Sequence, residues 1–296
     1  MSSDRTCRRG VHSLAVVKPP RWVVQPRDVA AFVELYHNPM TRDQAMRLCG
    51  FGSLTRVNTR LNRYVRGGYA LRHRLEFYGQ SVYTLGPAAC PVVAAELGSD
   101  AETVRRQARI GDSPQFLAHA LRGVDVKIAL LDACSEANMA ATWRTERQAR
   151  HEYLVRSGGA RHHHILKPDA YVRIGEGDTA AHCFVEVDLS HRSIPVMEQS
   201  MLGYVRYASM VFRETYGASG FAVLCLVPGQ RRLDHLREAA RKSGASMFLF
   251  TTYQRFFESG PLADIWLPPD REETIALIPA ANGASSMIGT VREGAS

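Results

Sequence analysis

Three acidic residues in the middle of the chain have the spacing of a metal site. Pro168 and Asp169 precede one apolar segment, and Glu186 and Asp188 close the next, with a glycine-containing turn over residues 175–181 between them. This pattern predicts two strands joined by a turn. Glu186 and Asp188 are two residues apart, so on a strand their side chains point the same way. Mg²⁺ prefers such hard oxygen ligands, and it can neutralise a phosphodiester and activate a water for attack.

The charge around these acids is opposite to that of the N-terminal part of the chain. Residues 166–200 contain six acidic and three basic residues, whereas residues 41–80 contain eight arginines against Asp43 and Glu76. The whole chain of 296 residues has a formal net charge of +8. A local concentration of arginine favours a polyphosphate partner, because each neutralised phosphate releases counterions. DNA is therefore the expected partner, with a cation between the acidic pocket and the phosphate.

The arginine-rich segment has the order of elements of a winged helix-turn-helix. Apolar residues recur at spacings of three and four over three short segments, and Thr41 and Ser53 are suited to cap the second and third helices. A hairpin is predicted after the third helix, which in this fold enters the major groove while the wing touches the backbone. The predicted elements are helices over residues 26–37, 42–50 and 54–66 and strands over residues 69–77 and 81–85.

The outer face of the third predicted helix and the hairpin supply the predicted DNA contacts. Arginine is suited to forked contacts with phosphate and guanine, and Asn58 and Thr59 are the predicted base readers. The set is Arg56, Asn58, Thr59, Arg60, Arg63, Arg66, Arg72 and Arg74. The alternative is a small helical bundle with a solvated arginine face. The uniform sign of the charge, the helix caps and the following hairpin favour DNA binding.

The remainder predicts a three-layer α/β domain around a mixed sheet. Apolar periodicity predicts a helix through most of residues 124–150, then the acid-bearing hairpin, and then helices alternating with two buried strands. The fold class is α/β, or α+β over the whole chain. The predicted organisation is a flexible lead (1–20), the winged helix-turn-helix (21–92), a helical connector (93–123), the α/β domain (124–276) and a loosely ordered tail (277–296).

The acid-bearing stretch resembles the Pro-Asp…(Asp/Glu)-x-Lys signature of restriction-endonuclease-like nucleases. Over residues 25–270 the arrangement resembles the replication-relaxation family of plasmids and other bacterial mobile elements. The motifs that carry this resemblance are "LTRVNTRLNRYVRGGY", Trp-x-x-Glu at Trp143 and Glu146, "PDAYV", "EVD", "GYVRYA" and "LADIWLP". It implies a winged helix fused to a nuclease-like domain that uses Mg²⁺ or Mn²⁺.

By position, the resemblance implies that Asp169 and Glu186 are metal ligands and that Glu146 is a third carboxylate, on the preceding helix. Asp188 stands at the catalytic position where these nucleases have a lysine. An aspartate cannot orient the attacking water and offset transition-state charge as a lysine does. Arg192, His191 and Gln199 are the nearby substitutes.

Three functions stay open at this point. The first is a metal-dependent DNA endonuclease or nickase targeted by the winged helix. The second is a DNA-binding protein with a catalytically degenerate nuclease-like domain, acting in plasmid replication, mobilisation or transcriptional control. The third, and least favoured, is an interaction protein whose basic module serves a partner other than nucleic acid.

The cysteine pattern and the apolar runs indicate the cellular compartment to expect. The six cysteines are scattered without a Cys-x-x-Cys pair, which indicates reduced thiols rather than a disulfide framework or a zinc site. No apolar run approaches the roughly 18 to 20 residues of a membrane span. The first twenty residues lack the apolar core of a signal peptide, so a cytoplasmic protein is expected. A homodimer would fit a palindromic DNA site, but the sequence does not require one.

Overall fold

A computed structural model describes residues 23–74, 79–108, 113–157 and 160–278. The predicted lead over residues 1–20 and nearly all of the predicted tail lie outside these ranges. The described residues form a winged helix-turn-helix and a three-layer α/β domain with a mixed sheet, so the fold class predicted from the sequence is confirmed. None of the helices in the described ranges has the length and apolar character that crossing a bilayer requires.

The N-terminal elements follow the predicted order closely. Thr41 caps the second helix through the N–H of Gln44 at 3.3 Å, and Ser53 caps the third through the N–H of Arg56 at 3.3 Å. The sheet order is β1-β3-β2, with β3 antiparallel to both neighbours. The elements are α1 (Pro26–His37), β1 (Met40–Thr41), α2 (Arg42–Leu48), α3 (Leu54–Arg66), β2 (Ala70–Arg74) and β3 (Ser81–Leu85). Only β1 was not predicted, because two residues carry no periodicity.

Two further helices, α4 (Cys90–Leu97) and α5 (Ala101–Gln107), pack on the winged helix. Their buried residues Val93 and Val104 belong to the same apolar cluster as Phe32 of α1. Much of the segment predicted as a connector therefore contributes to the first hydrophobic core. The long helix α6 (Pro114–Glu136) follows and leads into the α/β domain.

The predicted helix over most of residues 124–150 is wrong in its second half. The helix ends at Glu136, and an edge strand, β4 (Ala141–Thr145), and a short helix, α7 (Glu146–Ala149), follow. Asn138 adopts a φ of 55°, and the N–H of Met139 donates to the carbonyl of Cys134 at 2.8 Å. This is a Schellman stop with asparagine in the left-handed position. This five-residue strand has only two apolar residues, Ala141 and Trp143, which are too few to interrupt a helical pattern.

The α/β domain is built on a five-stranded mixed sheet of order β10-β9-β8-β7-β4. Strands β8, β9 and β10 are parallel, whereas β7 is antiparallel to β8 and β4. Helices α8 to α10 cover one face, and α6 and α11 cover the other. The elements after α7 are β7 (Ala170–Ile174), β8 (Ala181–Val187), α8 (Ile194–Met210), α9 (Phe212–Tyr216), β9 (Ala222–Val227), α10 (Gln230–Lys242), β10 (Phe248–Thr252) and α11 (Tyr253–Ser259).

Between α7 and β7 the chain forms a separate hairpin that sequence analysis missed. Its strands are β5 (His151–Ser157) and β6 (Ala160–Leu166), which, within the part of the chain that the structure describes, pair only with each other. The hairpin packs on α8, where the rings of Tyr153 and Tyr207 lie 5.6 Å apart. Leu154 and Ile165 are exposed on its outer face. Because apolar residues lie on that face too, the sequence lacks the alternation of apolar and polar residues that predicts a half-buried strand.

Helix α6 joins the two domains through buried polar contacts. The ammonium of Lys127 donates to both carboxylate oxygens of Glu34, at 2.8 and 2.7 Å. Gln44 donates to the carbonyl of Leu121 at 2.9 Å and to Asp125 at 2.7 Å. These bonds attach α1 and α2 of the winged helix to the helix that covers the sheet.

Candidate metal centre and nucleic-acid interface

Asp169 lies at the corner that precedes β7 and is bound to the neighbouring strand. Its N–H donates to the carbonyl of Val185 at 3.1 Å, and the N–H of Val187 donates to its Oδ2 at 2.7 Å. The register pairs Ala170 with Val185, so Asp169 and Glu186 come next to each other at the strand ends. The backbone itself thus fixes the first carboxylate.

Glu186 is buried on β8, with 7% of its side chain exposed. The hydroxyl of Tyr204 on α8 donates to Oε1 at 2.6 Å. Burial and the negative charge of Asp169 raise the pKa of Glu186 to about 8, against opposing effects of Tyr204 and Arg192. Burial and the charge of Asp169 thus both oppose ionisation of Glu186.

Asp188 follows β8 and is engaged by an arginine of α10. Arg232 donates to Oδ2 at 2.8 Å and to Oδ1 at 3.1 Å, a bidentate pair in which 3% of the Asp188 side chain is exposed. The tyrosine hydroxyl of Tyr253 donates to the Asp188 carbonyl at 3.1 Å. Asp188 thus has a positive partner of its own, which the sequence did not reveal because Arg232 is 44 residues away.

Glu146 occupies a different place from the one expected. It begins the four-residue α7 after an edge strand rather than lying on a long preceding helix. The ammonium of Lys167 lies 2.7 Å from its Oε1, with 39% of the Glu146 side chain exposed. Within the described ranges, no three histidine, cysteine, aspartate or glutamate side chains are grouped as a metal site. The structure brings Asp169 and Glu186 together, and Glu146 has a separate ion pair.

His119 of α6 is a site residue that sequence analysis missed. Its Nε2 lies 3.2 Å from Oδ2 of Asp169. Burial acts to lower the pKa of His119, but the hydrogen bond and charge of Asp169 outweigh it, so the pKa is raised. The residue lies in the segment predicted as a connector, where a single histidine carries no spacing signal.

Asp169 and Glu146 border a cavity of about 110 Å³ at the junction of the two domains. Asp169, Glu146, His119 and Trp143 line it from the α/β domain, and His37 lines it from the end of α1. Burial lowers the pKa of His37 to about 4, so this residue contributes no charge at neutral pH. The candidate site is therefore reached from a space that the winged helix partly encloses.

The third helix of the winged helix presents a basic stripe to solvent. Arg56, Thr59, Arg63 and Arg66 are exposed at spacings of three and four, while Asn58 is half-buried. The opposite face of α3 packs into the core through Val57, Leu61 and Tyr64. Four of the predicted DNA-contact residues therefore share one accessible face.

Arg60 belongs to the interior of the winged helix. Its Nε lies 3.3 Å from Oδ1 of Asp28, with 17% of the arginine side chain exposed and none of the aspartate. The hydroxyl of Tyr64 donates to the same Oδ1 at 2.6 Å, and Arg60 also donates to Gln25 at 2.7 Å. These bonds join α3 to the start of α1, so Arg60 lies apart from the exposed stripe.

The wing carries the last two predicted contacts. Arg72 and Arg74 are exposed on β2. Arg72 donates to Asn62 of α3 and lies over the ring of Tyr83, 5.5 Å from its centroid. The wing and the exposed face of α3 are thereby connected through side chains.

Comparison with known proteins identifies one family. A family model described as replication-relaxation matches residues 35–221, more than half of the chain. No curated protein matches its sequence. Two solved structures are similar at low level, the restriction endonuclease FokI at a TM-score of 0.27 and 9% identity, and FokI bound to DNA at 0.26 and 10%.

Both FokI matches cover most of this chain, 76% and 77%, but only 41% and 42% of the FokI chains. The chain thus spans less than half the length of either structure. TM-scores this low establish neither a shared fold nor a shared activity.

Proposed function

Because the chain belongs to the replication-relaxation family, we propose that it binds DNA and that its α/β domain is a divalent-metal-dependent endonuclease or nickase. The observation that carries the proposal is the pair formed by the buried Glu186 and the half-buried Asp169. Burial and the negative charge of Asp169 raise the pKa of Glu186, and a bound cation would offset both effects. Such a pair at adjacent strand ends costs stability in the absence of a ligand.

The donor atoms fit Mg²⁺ or Mn²⁺. Mg²⁺ is commonly held by one or two carboxylates together with waters, and Asp169 and Glu186 would provide those carboxylates. When bound, the ion would neutralise phosphoryl oxygens and activate a water. Tyr204 fixes Glu186, and the N–H of Val187 fixes Asp169, so both carboxylates are held in place by their own hydrogen bonds. Glu146 joins this set only if its contact with Lys167 is broken.

The winged helix supplies the targeting in this proposal. The exposed stripe of Arg56, Thr59, Arg63 and Arg66 matches the face that a third helix presents to the major groove. Arg72 and Arg74 on the wing are positioned for the flanking phosphates. A homodimer on a palindromic site is compatible with this arrangement, and sedimentation of the chain with and without DNA tests it.

Cleavage of supercoiled and linear DNA in Mg²⁺ or Mn²⁺ tests the proposal. The wild-type chain should nick or cut the DNA, and Asp169→Ala and Glu186→Ala should abolish the activity. Asp178→Ala is a matched control, since it removes an exposed acid from the turn of the same hairpin. Equal activity in all four proteins would rule out the carboxylate pair as the catalytic centre.

The Asp188–Arg232 pair favours a second function, a catalytically degenerate nuclease-like protein that binds DNA. This pair occupies the position where the nucleases that the sequence resembles have their lysine. Such a protein would act in plasmid replication, mobilisation or transcriptional control. Intact DNA after incubation with either metal, together with a clean mobility shift, would support this function over the first.

A further inference from the structure

Arg192 is the positively charged group beside the carboxylate pair that has no role in the site described so far. Its Nη1 lies 3.8 Å from Oε2 of Glu186, and 46% of its side chain is exposed. The charge of Arg192 also acts on both Glu186 and His119, where it opposes in part the raised pKa of each. Arg192 therefore faces the buried Glu186 on one side and solvent on the other.

The segment that carries Arg192 is held in place by a hydrogen bond to its main chain. Besides the two bonds to Asp188, Arg232 donates from Nη2 to the carbonyl of Arg192 at 2.8 Å. Between them, Ser190 adopts a φ of 61°, a left-handed conformation that turns the chain after β8. A half-buried arginine that bridges the side chain of Asp188 and the main chain of Arg192 fixes the ends of this turn.

This arrangement differs from an ordinary surface ion pair. A solvent-exposed arginine close to a single glutamate contributes little to stability and is not held in one place. Here the backbone of Arg192 is held, because its carbonyl accepts from Arg232 and the bidentate Asp188–Arg232 pair is largely buried. The exposed guanidinium extends from this backbone. Phosphoryl transfer spreads negative charge over the equatorial oxygens, and a guanidinium donates charge-assisted hydrogen bonds to such oxygens.

We propose that Arg192 binds the phosphate that the carboxylate pair acts on, and that Asp188 and Arg232 are positioning residues for it. The inference rests on the proposed endonuclease function. Asp188 therefore does not itself replace the lysine of the nucleases that the sequence resembles. Through its pair with Arg232 of α10, it positions the cationic Arg192, four residues later in the chain.

Binding of the dinucleotide d(TpT) in Mg²⁺ tests the role of Arg192 without any cleavage. This ligand is too short to engage the winged helix, and phosphorus NMR reports its binding directly. Arg192→Ala should weaken d(TpT) binding by about tenfold, as expected for loss of one charge-assisted contact. Arg192→Lys should stay within about threefold of the wild type. Arg213→Ala, an exposed arginine on α9, is the matched control and should bind as the wild type does.

The positioning role has a separate test. Arg232→Lys keeps the charge but cannot donate to both Asp188 oxygens and to the Arg192 carbonyl, so it should weaken d(TpT) binding while Mg²⁺ affinity by calorimetry is unchanged. The double variant with Arg192→Ala should be no weaker than Arg192→Ala alone, because the two act through one contact. Arg231→Lys, its exposed neighbour on α10, is the control. Additive losses of d(TpT) affinity in the double variant would show that Arg232 acts independently of Arg192 and only stabilises the fold.

The outcomes separate this inference from the function on which it rests. Wild-type cleavage combined with unchanged d(TpT) binding by Arg192→Ala would overturn the role of Arg192 and leave the endonuclease in place. Intact DNA combined with a tenfold loss in Arg192→Ala would overturn the endonuclease and support a phosphate site. Failure of the wild type to bind d(TpT) in Mg²⁺ would overturn the inference outright.

Discussion

The winged helix and the α/β domain each bury an aspartate against an arginine, and the two pairs have different surroundings. Asp28 and Arg60 are enclosed by their own domain, with Tyr64 also bound to the aspartate. Asp188 and Arg232 extend to the main chain of Arg192, beside the carboxylate site. Asp28 and Arg60, the closed pair, hold α1 and α3 together behind the exposed face of α3. Asp188 and Arg232, the open pair, can orient Arg192, the group proposed to bind phosphate.

The largest expected effect is on the closed pair. Asp28→Ala removes the acceptor for Tyr64, Arg60 and the N–H of Gln25 and leaves a guanidinium without its anion. Breaking a buried pair from one side typically costs about 3–5 kcal/mol, so the winged helix should unfold at a markedly lower denaturant concentration. Circular dichroism during urea unfolding measures this.

Asp43→Ala is the matched control, because its ion pair with Arg42 is substantially exposed and contributes little to stability. A midpoint for Asp28→Ala equal to that of Asp43→Ala would show that the closed pair is not what joins α1 and α3.

The pH dependence of stability should identify the carboxylate pair. The pKa of Glu186 rises from its ordinary value of 4.5 to about 8 in the folded protein, so the folded protein binds this proton more tightly than the unfolded chain does. The stability from this proton is fully present below pH 4.5 and is lost as the pH rises toward 8. The melting temperature of metal-free wild type should fall through that window, and Glu186→Gln should show a smaller fall.

Added Mg²⁺ sharpens this prediction. At pH 8 the ion should raise the melting temperature of the wild type and leave that of Glu186→Gln nearly unchanged, because only an ionised glutamate gains from a bound cation. Identical pH profiles for the two proteins, each treated with chelator, would mean that folding does not raise the pKa of Glu186.

DNA affinity separates the exposed arginines from the closed pair. Replacing Arg56 and Arg63 with alanine should weaken DNA binding and reduce the slope of log affinity against log salt by about 2, since roughly one unit is lost for each phosphate contact. Arg60→Ala should destabilise the fold and leave that slope unchanged. Fluorescence anisotropy at several salt concentrations measures both. A reduced slope for Arg60→Ala would instead indicate that Arg60 contacts DNA.

The same contrast explains what the sequence could and could not predict. The winged helix was predicted nearly residue by residue because its signals are local: the caps Thr41 and Ser53 and the apolar spacing along α3. The inward turn of Arg60 could not be predicted, because its partner Asp28 lies on another helix. Spacing alone identified Asp169 and Glu186 as neighbours, since a hairpin register depends only on the two strands and their turn.

The rest of the site depends on tertiary contacts. His119 and Arg232 reach it from α6 and α10, and neither has a periodicity or motif that distinguishes it from other residues of its helix. The edge strand β4 was hidden for a related reason, because its apolar residues continue the helical spacing of α6 beyond the asparagine stop at Asn138. Residues whose role depends on a distant partner thus escape sequence analysis even where the fold class is correct.

The smallest expected effect concerns Glu146. Its pair with Lys167 is partly exposed, so Glu146→Gln should change the free energy of unfolding by less than about 1 kcal/mol. If Asp169 and Glu186 alone hold the ion, the same variant should bind Mg²⁺ within about twofold of the wild type, as measured by calorimetry. Lys167→Gln is the informative companion, since it frees Glu146 without removing it. A tenfold loss of Mg²⁺ affinity in Glu146→Gln, with a gain in Lys167→Gln, would establish Glu146 as a third ligand that Lys167 holds away from the ion.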